Sequence, residues 1–326
     1  MPPEIYTIGL PTPFAVGDVN VYAIYDGELT LVDAGPRTEA AEAALEQGLE
    51  RLGFSVGQVR RILITHGHQD HFGLAGRLRA RSGAEILLPE ADQHLTSQPY
   101  PTEFYRRALI QAGLPEEEVT PLTQAFLDIR SFSDPIAEYR PVRHGDRIPL
   151  RRGVLQVLRT PGHTPGSLCY YWPGPGVLFA GDTLLKSITP NPVLDVDPTD
   201  RGHRYPSLVR YLETLHDLLP VAAETIYTGH REAITDYPGH YQTVLAFYRE
   251  RQGRILDLLR GGAKSAYEVS RDLFPAADGI NRFLAVSEVL ANLDLLKHHD
   301  RLRSGLRGPV EYFATDGAGG APGGVP

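Results

Sequence analysis

Apolar and β-branched residues recur along the first 235 residues at two spacings, one typical of strands and the other of helices. Segments 20–25 and 29–32 are β-rich, and the Asp-Gly pair between them predicts a hairpin because it supplies the positive φ of a tight turn. Segment 37–52 has alanine and leucine at helical spacing and is closed by Gly53. Further strands are predicted over 61–64, 84–88, 154–158, 167–172, 177–180 and 225–228, and a further helix over 74–81. The pattern predicts a mixed α/β protein.

Two stretches depart from this alternation. Between about 90 and 145 the chain has two amphipathic segments, 103–112 and 115–127, which prolines keep short, and they predict a helical insertion. After residue 240 the pattern predicts a helix over 241–260, a second helix that begins with a capping box at Ser265 and Glu268, a third helix over 283–302 and a hairpin over 303–313. The expected organisation is a domain over 1–240, a small and mostly helical domain over 241–313, and a disordered tail over 314–326.

The composition is that of a soluble globular protein, with 42% hydrophobic and 22% charged residues in 326. The net charge of -8 argues against a nucleic-acid partner, although a local basic patch can lie within an acidic total. The single cysteine, Cys169, excludes an internal disulfide and is expected to be a buried, unreactive thiol. Since neither a leader nor an apolar run of about 18 residues is recognised, we expect a cytoplasmic protein that does not enter a membrane.

One stretch, 65–73, concentrates the candidate chemistry, because it carries three histidines and a carboxylate within six positions. These are His66, His68, Asp70 and His71. Imidazole and carboxylate are ligands that suit zinc, iron or manganese, whereas a solvated polar loop is the alternative. Adjacent side chains such as Asp70 and His71 point in different directions, so the cluster predicts two neighbouring metals rather than one.

Three later residues have the same local setting, in which an apolar run leads to a glycine and then to a potential ligand. They are His163, Asp182 and His230. Strand ends hold loops rigidly, so we expect these residues to complete the metal site.

The motif His66-x-His68-x-Asp70-His71, followed in order by His163, Asp182 and His230, resembles the metallo-β-lactamase superfamily. The segment Leu31-Val32-Asp33-Ala34-Gly35 matches its first short motif, and the likeness covers about the first 235 residues. The resemblance implies a four-layer αββα fold. It implies His66, His68 and His163 on one metal, Asp70, His71 and His230 on the other, Asp182 bridging the two, and Asp33 beside the ligands without touching a metal.

The resemblance also indicates a branch of that superfamily. True β-lactamases carry a cysteine where this chain has Asp182, so the chain is more similar to hydrolases such as glyoxalase II, lactonases and thioesterases. The three helices and hairpin after residue 240 resemble a winged-helix appendage found on some members, including an endoribonuclease branch. We expect that appendage to pack or to form a homodimer rather than to bind DNA.

The expected reaction uses two divalent metal ions, zinc first with iron or manganese open, and a bridging hydroxide that attacks an ester-like carbonyl. Asp70 or Asp182 would shuttle the proton. The substrate would be a small thioester or lactone; the alternatives are cleavage of single-stranded RNA, or a metal-bearing scaffold without activity. The sequence does not specify the substrate.

Further residues are candidates for substrate contact, namely Lys186, Asn191, His203 and Tyr205 behind Asp182, and Tyr105 in the insertion. For each of these, a solvated surface position is the alternative. The superfamily places an insertion of this kind near the metals, so the resemblance implies that segment 90–145 forms a lid or pocket wall. The alternative is a helical hairpin that only covers the sheet.

Overall fold

The structure is a computed structural model that describes residues 4–96 and 100–315. By their internal contacts these residues form two units. The first unit comprises Met1–Tyr100, Ile129–Pro190 and Thr214–His240, and the second comprises Pro101–Asp128, Asn191–Glu213 and Tyr241–Pro326. The predicted disordered tail lies outside the described residues except for Ala314 and Thr315.

Two sheets form the body of the first unit. The six-stranded sheet contains, in spatial and chain order, β1 (Glu4–Leu10), β2 (Val19–Tyr25), β3 (Leu29–Val32), β4 (Val59–Leu63), β5 (Glu85–Pro89) and β6 (Arg140–Val142). The five-stranded sheet contains β7 (Arg147–Leu150), β8 (Gly153–Arg159), β9 (Leu168–Trp172), β10 (Val177–Gly181) and β11 (Thr225–Thr228). Strands β3 to β6 pair in parallel, as do β10 and β11. Parallel pairing brings the carboxyl ends of these strands to one edge of each sheet.

The alternation of side chains along each strand separates two cores. In β2, Val21 and Ala23 point to a core shared with the helices α1 (Glu39–Arg51) and α3 (Ala75–Ser82). Their neighbours Tyr22 and Ile24 point to a second core, shared with residues of the five-stranded sheet such as Phe179. The two sheets therefore pack face to face, and helices cover the outer face of the first.

Short helices complete the first unit. They are α2 (Gln69–Phe72), which lies in the predicted metal stretch, and α4 (Gln93–Thr96), which follows β5. Helix α1 begins after Thr38, whose hydroxyl accepts a hydrogen bond from the amide of Ala41 at 3.1 Å, and the positive φ of Gly53 (81°) follows its end. The hairpin at 20–32 and this helix are confirmed, whereas β1 was not predicted.

The second unit contains the helices α5 (Thr102–Gln111) and α6 (Glu116–Ile129), most of α7 (Ser207–Asp217) and of α8 (Tyr237–Leu259), α9 (Ala266–Leu273) and α10 (Gly279–His298). A small sheet adds β12 (Lys264–Ser265), β13 (Arg303–Arg307) and β14 (Val310–Ala314). Helices at 103–112 and 115–127 and the capping box at Ser265 were predicted, whereas α7 was not. From α8 onward the order is helix, strand, helix, helix, strand, strand; the winged-helix assignment stays a prediction.

The grouping of segments differs from the predicted boundary at residue 240. The insertion helices belong with the C-terminal helices because aromatic rings join them: Phe126 contacts Phe283 edge to face at 4.1 Å and stacks on Tyr105 at 5.3 Å between ring centres. Arg204, in the segment 191–213, pairs with Asp294 at 2.9 Å in the same unit. The second unit is thus built from three separate stretches of chain.

Among the described residues, no helix combines the length and the apolar character that crossing a membrane requires.

Candidate metal centre

The seven predicted ligands follow the carboxyl ends of four strands, all in the first unit. His66 and His68 lie in the loop after β4, and Asp70 and His71 lie in α2, which His68 caps. His163 follows β8, Asp182 directly follows β10, and His230 follows β11 by one glycine. Both sheets therefore contribute, and their strand ends bring residues that are distant in sequence into one cluster.

Three histidines form the first group of ligand atoms. Nε2 of His66 lies 3.1 Å from Nδ1 of His68, and Nε2 of His163 lies 3.0 Å from that same atom. Nitrogens that share a tetrahedral zinc ion at its usual bond length are about 3.3 Å apart. The spacing of these three nitrogens therefore suits one ion.

Asp70, His71 and His230 form the second group, and Asp182 lies between the two groups. Nε2 of His230 is 3.4 Å from Oδ2 of Asp70 and 3.5 Å from Oδ2 of Asp182. Oδ1 of Asp182 is 3.4 Å from Nε2 of His71, and its Oδ2 is 3.7 Å from Nε2 of His163. Asp182 thus lies close to histidine nitrogens of both groups.

Buried polar atoms show that the residues fit metal ions. Nε2 of His71, Nε2 of His230 and Oδ1 of Asp182 have no hydrogen-bond partner among the described residues, and all three atoms are shielded from solvent. A buried polar atom without a partner is costly, whereas a cation in this cluster would satisfy all three. The donor set of imidazoles and carboxylates suits zinc, iron or manganese.

The electrostatics of the two groups differ. Burial, reinforced by neighbouring imidazoles, lowers the pKa of His66 well below its usual value and that of His68 to about 3. Burial also acts to lower the pKa of His71 and His230, but the carboxylate of Asp182 and its neighbours outweigh it and raise both pKa values. The first group is therefore neutral and ready for a cation, while the second favours imidazolium paired with carboxylate.

Asp182 itself is held as a carboxylate. Burial would raise its pKa, but the positive charge of His230 and His71 outweighs burial and keeps the pKa well below the usual value. Asp182 also lies close to the backbone after β11: a Cβ atom added to Gly229 would lie 2.1 Å from its Oδ1. The glycine before His230 is required by this close approach.

Asp33 orients two ligands from the end of β3, where its φ is 63°. It accepts hydrogen bonds from Nδ1 of His71 at 2.8 Å, from the amide of Thr65 at 2.8 Å and from the hydroxyl of Thr65 at 2.9 Å. The Thr65 oxygen lies 3.1 Å from Nδ1 of His66, which donates to it because the hydroxyl proton is directed to Asp33. Each imidazole thereby presents Nε2 to the site.

Sequence reasoning gave no role to Thr65 or to Asp18. Nδ1 of His230 donates to the carbonyl oxygen of Asp18 at 2.7 Å, which fixes that ring in the same way. A backbone carbonyl 212 positions away leaves no signal in the sequence, whereas Thr65 lies within the motif.

Tyr105 does not occupy a position open to substrate. Its side chain is 2% exposed, and its hydroxyl donates to Oδ1 of Asp195 at 2.8 Å within the second unit. An aromatic residue on an amphipathic helix serves a core as readily as a pocket, and here the ring packs in the aromatic cluster with Phe126. The structure thus describes Tyr105 as a core residue, and its contact with substrate stays a prediction.

The other four candidates are distributed over both units. Lys186 is exposed in the first unit. In the second unit, Asn191 donates to the carbonyl of Leu284 at 3.0 Å, Tyr205 is buried, and the exposed His203 lies 2.7 Å from Asp200. The contact of these four residues with substrate stays a prediction.

Comparison with known proteins gives matches over most of the chain. The family model described as metallo-beta-lactamase superfamily matches residues 15–230. The probable metallo-hydrolase YqjP of Bacillus subtilis is 29% identical over 320 residues, which cover 96% of this chain and 98% of YqjP. The crystal structure of a metallo-beta-lactamase family protein, TTHA1429 from Thermus thermophilus, superposes with a TM-score of 0.83 at 32% identity and covers 95% of this chain and 98% of its own. These matches confirm the predicted αββα fold.

Partial matches reach proteins with a named substrate. The hydroxyacylglutathione hydrolase GloC of Haemophilus influenzae is 28% identical over 174 residues, or 53% of this chain and 70% of GloC. That of Methylobacillus flagellatus is 30% identical over 162 residues, or 49% of this chain and 44% of the relative.

Proposed function

Because the chain belongs to the metallo-beta-lactamase superfamily, we propose that it uses two divalent metal ions to hydrolyse an ester-like carbonyl, a thioester or a lactone, in a small molecule. The observation that carries this proposal is the position of Asp182, whose carboxylate lies within 3.7 Å of Nε2 of His163 in one group and nearer still to Nε2 of His71 and of His230 in the other. The similarity of half the chain to hydroxyacylglutathione hydrolases supports a carbonyl substrate.

The residues divide the work between the two groups. His66, His68 and His163 would hold one ion, and Asp70, His71 and His230 the other, with Asp182 between them. Bound in this way, such ions lower the pKa of water to roughly 7 and polarise a carbonyl oxygen. The two carboxylates, Asp70 and Asp182, are the groups that can hold and release a proton beside the substrate.

The substrate class is tested with a panel of S-acylglutathione, acyl-CoA, homoserine lactone and a single-stranded RNA oligomer. We expect turnover of a carbonyl substrate and none of RNA. His66→Ala and Asp182→Ala should lose both metal content and turnover, whereas His216→Ala, which removes an exposed histidine of α7, should lose neither. A panel in which only RNA is cleaved, or an Asp182→Ala enzyme with full metal content and activity, would overturn the proposal.

The metal is identified by elemental analysis of the purified protein. Zinc is the expected ion, with iron and manganese as alternatives that the same ligands accept. Removal by a chelator should abolish turnover, and addition of each ion in turn should show which one restores it. Turnover that persists in the chelated, metal-free protein would contradict a metal-dependent reaction.

One observation favours RNA cleavage as a second candidate. Segment 297–307 carries Arg301, Arg303 and Arg307 on or next to the exposed strand β13, in a protein of net charge -8. The guanidinium of Arg307 lies 4.7 Å from the ring centre of Tyr312, which leaves a cationic and aromatic surface of the kind that binds single strands.

This candidate predicts salt-dependent binding of an RNA oligomer, which a triple Arg→Ala variant at 301, 303 and 307 should abolish. A triple Arg→Ala variant at the exposed Arg249, Arg254 and Arg260, in or next to α8, removes the same charge and is the matched control. Fluorescence anisotropy at several salt concentrations measures both, since each lost phosphate contact lowers the salt slope by roughly 0.7 on a single strand. If the two variants bind the RNA oligomer equally well, the arginine surface does not bind RNA, and this second candidate function loses its support.

A further inference from the structure

A buried carboxylate lies behind the three-histidine group. Asp92 ends a short 3₁₀ turn, Glu90–Asp92, that follows β5, and its side chain is 0% exposed. Carboxylates are almost never fully buried unless they are paired with donors. The buried carboxylate of Asp92 therefore requires hydrogen-bond donors around it.

Three donors to Asp92 come from two separate loops that carry candidate ligands. Oδ2 accepts a hydrogen bond from the amide of Gly67, between His66 and His68, at 2.8 Å. The same oxygen accepts from the hydroxyl of Thr164, next to His163, at 2.7 Å, and Oδ1 accepts from the amide of Gly166 at 2.7 Å. One carboxylate thus joins the loop after β4 to the loop after β8.

The glycines of the two motifs fit this arrangement. A Cβ atom at Gly166 would lie 2.5 Å from Oδ1 of Asp92, and one at Gly67 would lie 2.8 Å from Cβ of Leu95 and 3.1 Å from Cβ of Asp92. Real Cβ atoms essentially never approach within 3.0 Å, so a side chain at Gly166 would push Asp92 away, and one at Gly67 would push Leu95 away and crowd Asp92. Both loops are shaped to let the carboxylate reach their backbone.

We propose that Asp92 is a positioning residue that clamps the His66–His68 loop to the His163 loop and so sets the spacing of the three-histidine group. The inference rests on the proposed function only in that these histidines hold a metal ion; it does not depend on the substrate. Fixed ligands bind more tightly because less freedom is lost on binding, and loss of such a support typically lowers metal affinity about 10- to 100-fold.

Asp92→Asn provides the direct test. Asparagine keeps the size but offers only one accepting oxygen, so its NH₂ group must face the N–H of Gly166 or the donors of Gly67 and Thr164. Zinc and cobalt affinities of the full-length protein, stripped of metal, are measured by competition with a chromophoric chelator. We expect about 10- to 100-fold weaker binding at one of the two sites, with changed visible bands of cobalt.

A second pair of variants keeps the test valid if Asp92→Asn folds poorly. Thr164→Val removes the hydroxyl donor at constant shape and should weaken the same site, whereas Thr164→Ser restores the donor and should restore affinity. Asp26→Asn is the matched control, because Asp26 is 4% exposed and accepts from the amide of Arg152 at 2.6 Å, at the opposite end of β3 from Asp33. Asp26→Asn should lower stability without changing either metal affinity.

The outcomes separate the possible roles. Unchanged affinity and cobalt spectrum in folded Asp92→Asn and Thr164→Val would overturn the proposal and leave Asp92 a purely structural residue. An equal loss in Asp26→Asn would overturn it as well. A wild-type protein that binds two metals but turns over no carbonyl substrate would defeat the proposed function while leaving this inference intact.

Discussion

Substitution of Gly229 by alanine tests the geometry of the metal centre through a single methyl group. The new Cβ would lie 2.1 Å from Oδ1 of Asp182 and 2.8 Å from Cε1 of His71. Since Cβ atoms keep at least 3.0 Å from other atoms, the carboxylate must retreat by about 0.9 Å. Gly229 does not have a positive φ, so the backbone accepts alanine and the effect is steric.

The expected cost has two parts. Overpacking should lower the free energy of unfolding by about 1–3 kcal/mol. A displacement near 1 Å of a group that positions the reaction should lower kcat/KM by about 10²-fold, with loss of the metal that Asp182 and His71 share.

Metal content per folded protein, urea unfolding and steady-state turnover measure these effects in parallel. Gly9→Ala in β1 is the matched control, because a Cβ there meets no atom within 4 Å. Wild-type metal content and turnover in Gly229→Ala would refute the reasoning. It would mean that Asp182 does not need its present position.

Three further predictions concern single residues. Asp33→Asn should lower the affinity for the metal ion at His71 about 10- to 100-fold in a chelator competition. The reason is that the carboxylate that accepts from Nδ1 of His71 at 2.8 Å becomes an amide. Unchanged affinity would contradict this role of Asp33. The pKa values of His71 and His230 are raised, so protons compete with metal at these residues at a higher pH than at the three-histidine group. Dialysis at pH values from about 8 down to 5 should therefore release one ion before the other. Simultaneous release of both ions would contradict this prediction. Tyr105→Phe should lower the free energy of unfolding by about 1–3 kcal/mol, because Asp195 loses a buried hydrogen-bond donor. It should leave kcat/KM unchanged, whereas a changed substrate preference would support the predicted contact between Tyr105 and substrate.

The local signals in the sequence were sufficient to single out the candidate ligands that the structure brings into one cluster. Each of His163, Asp182 and His230 follows an apolar run that became a strand, and in each case the end of that strand lies at the metal centre. The burial of strand residues on both faces likewise made the runs recognisable.

The supports of the ligands carried no such signal. Asp92 contacts Gly67 across 25 positions and Gly166 across 74, and a single carboxylate in a polar turn is indistinguishable in sequence from a solvated one. Tyr105 shows a different ambiguity, because an aromatic ring on an amphipathic helix fits a pocket and a core equally well in the sequence, and the structure buries this one. Only the partner residue, distant in sequence, decides between such alternatives.

The interrupted second unit has a consequence for how the protein is made. During translation, Tyr105 and Phe126 are synthesised well before Phe283, whose ring centre lies 4.1 Å from that of Phe126. Those early segments therefore keep these apolar surfaces unburied until Phe283 has been synthesised. A polypeptide stopped at residue 240 would therefore not be a trimmed enzyme but an unfinished one, prone to aggregate or to bind chaperones.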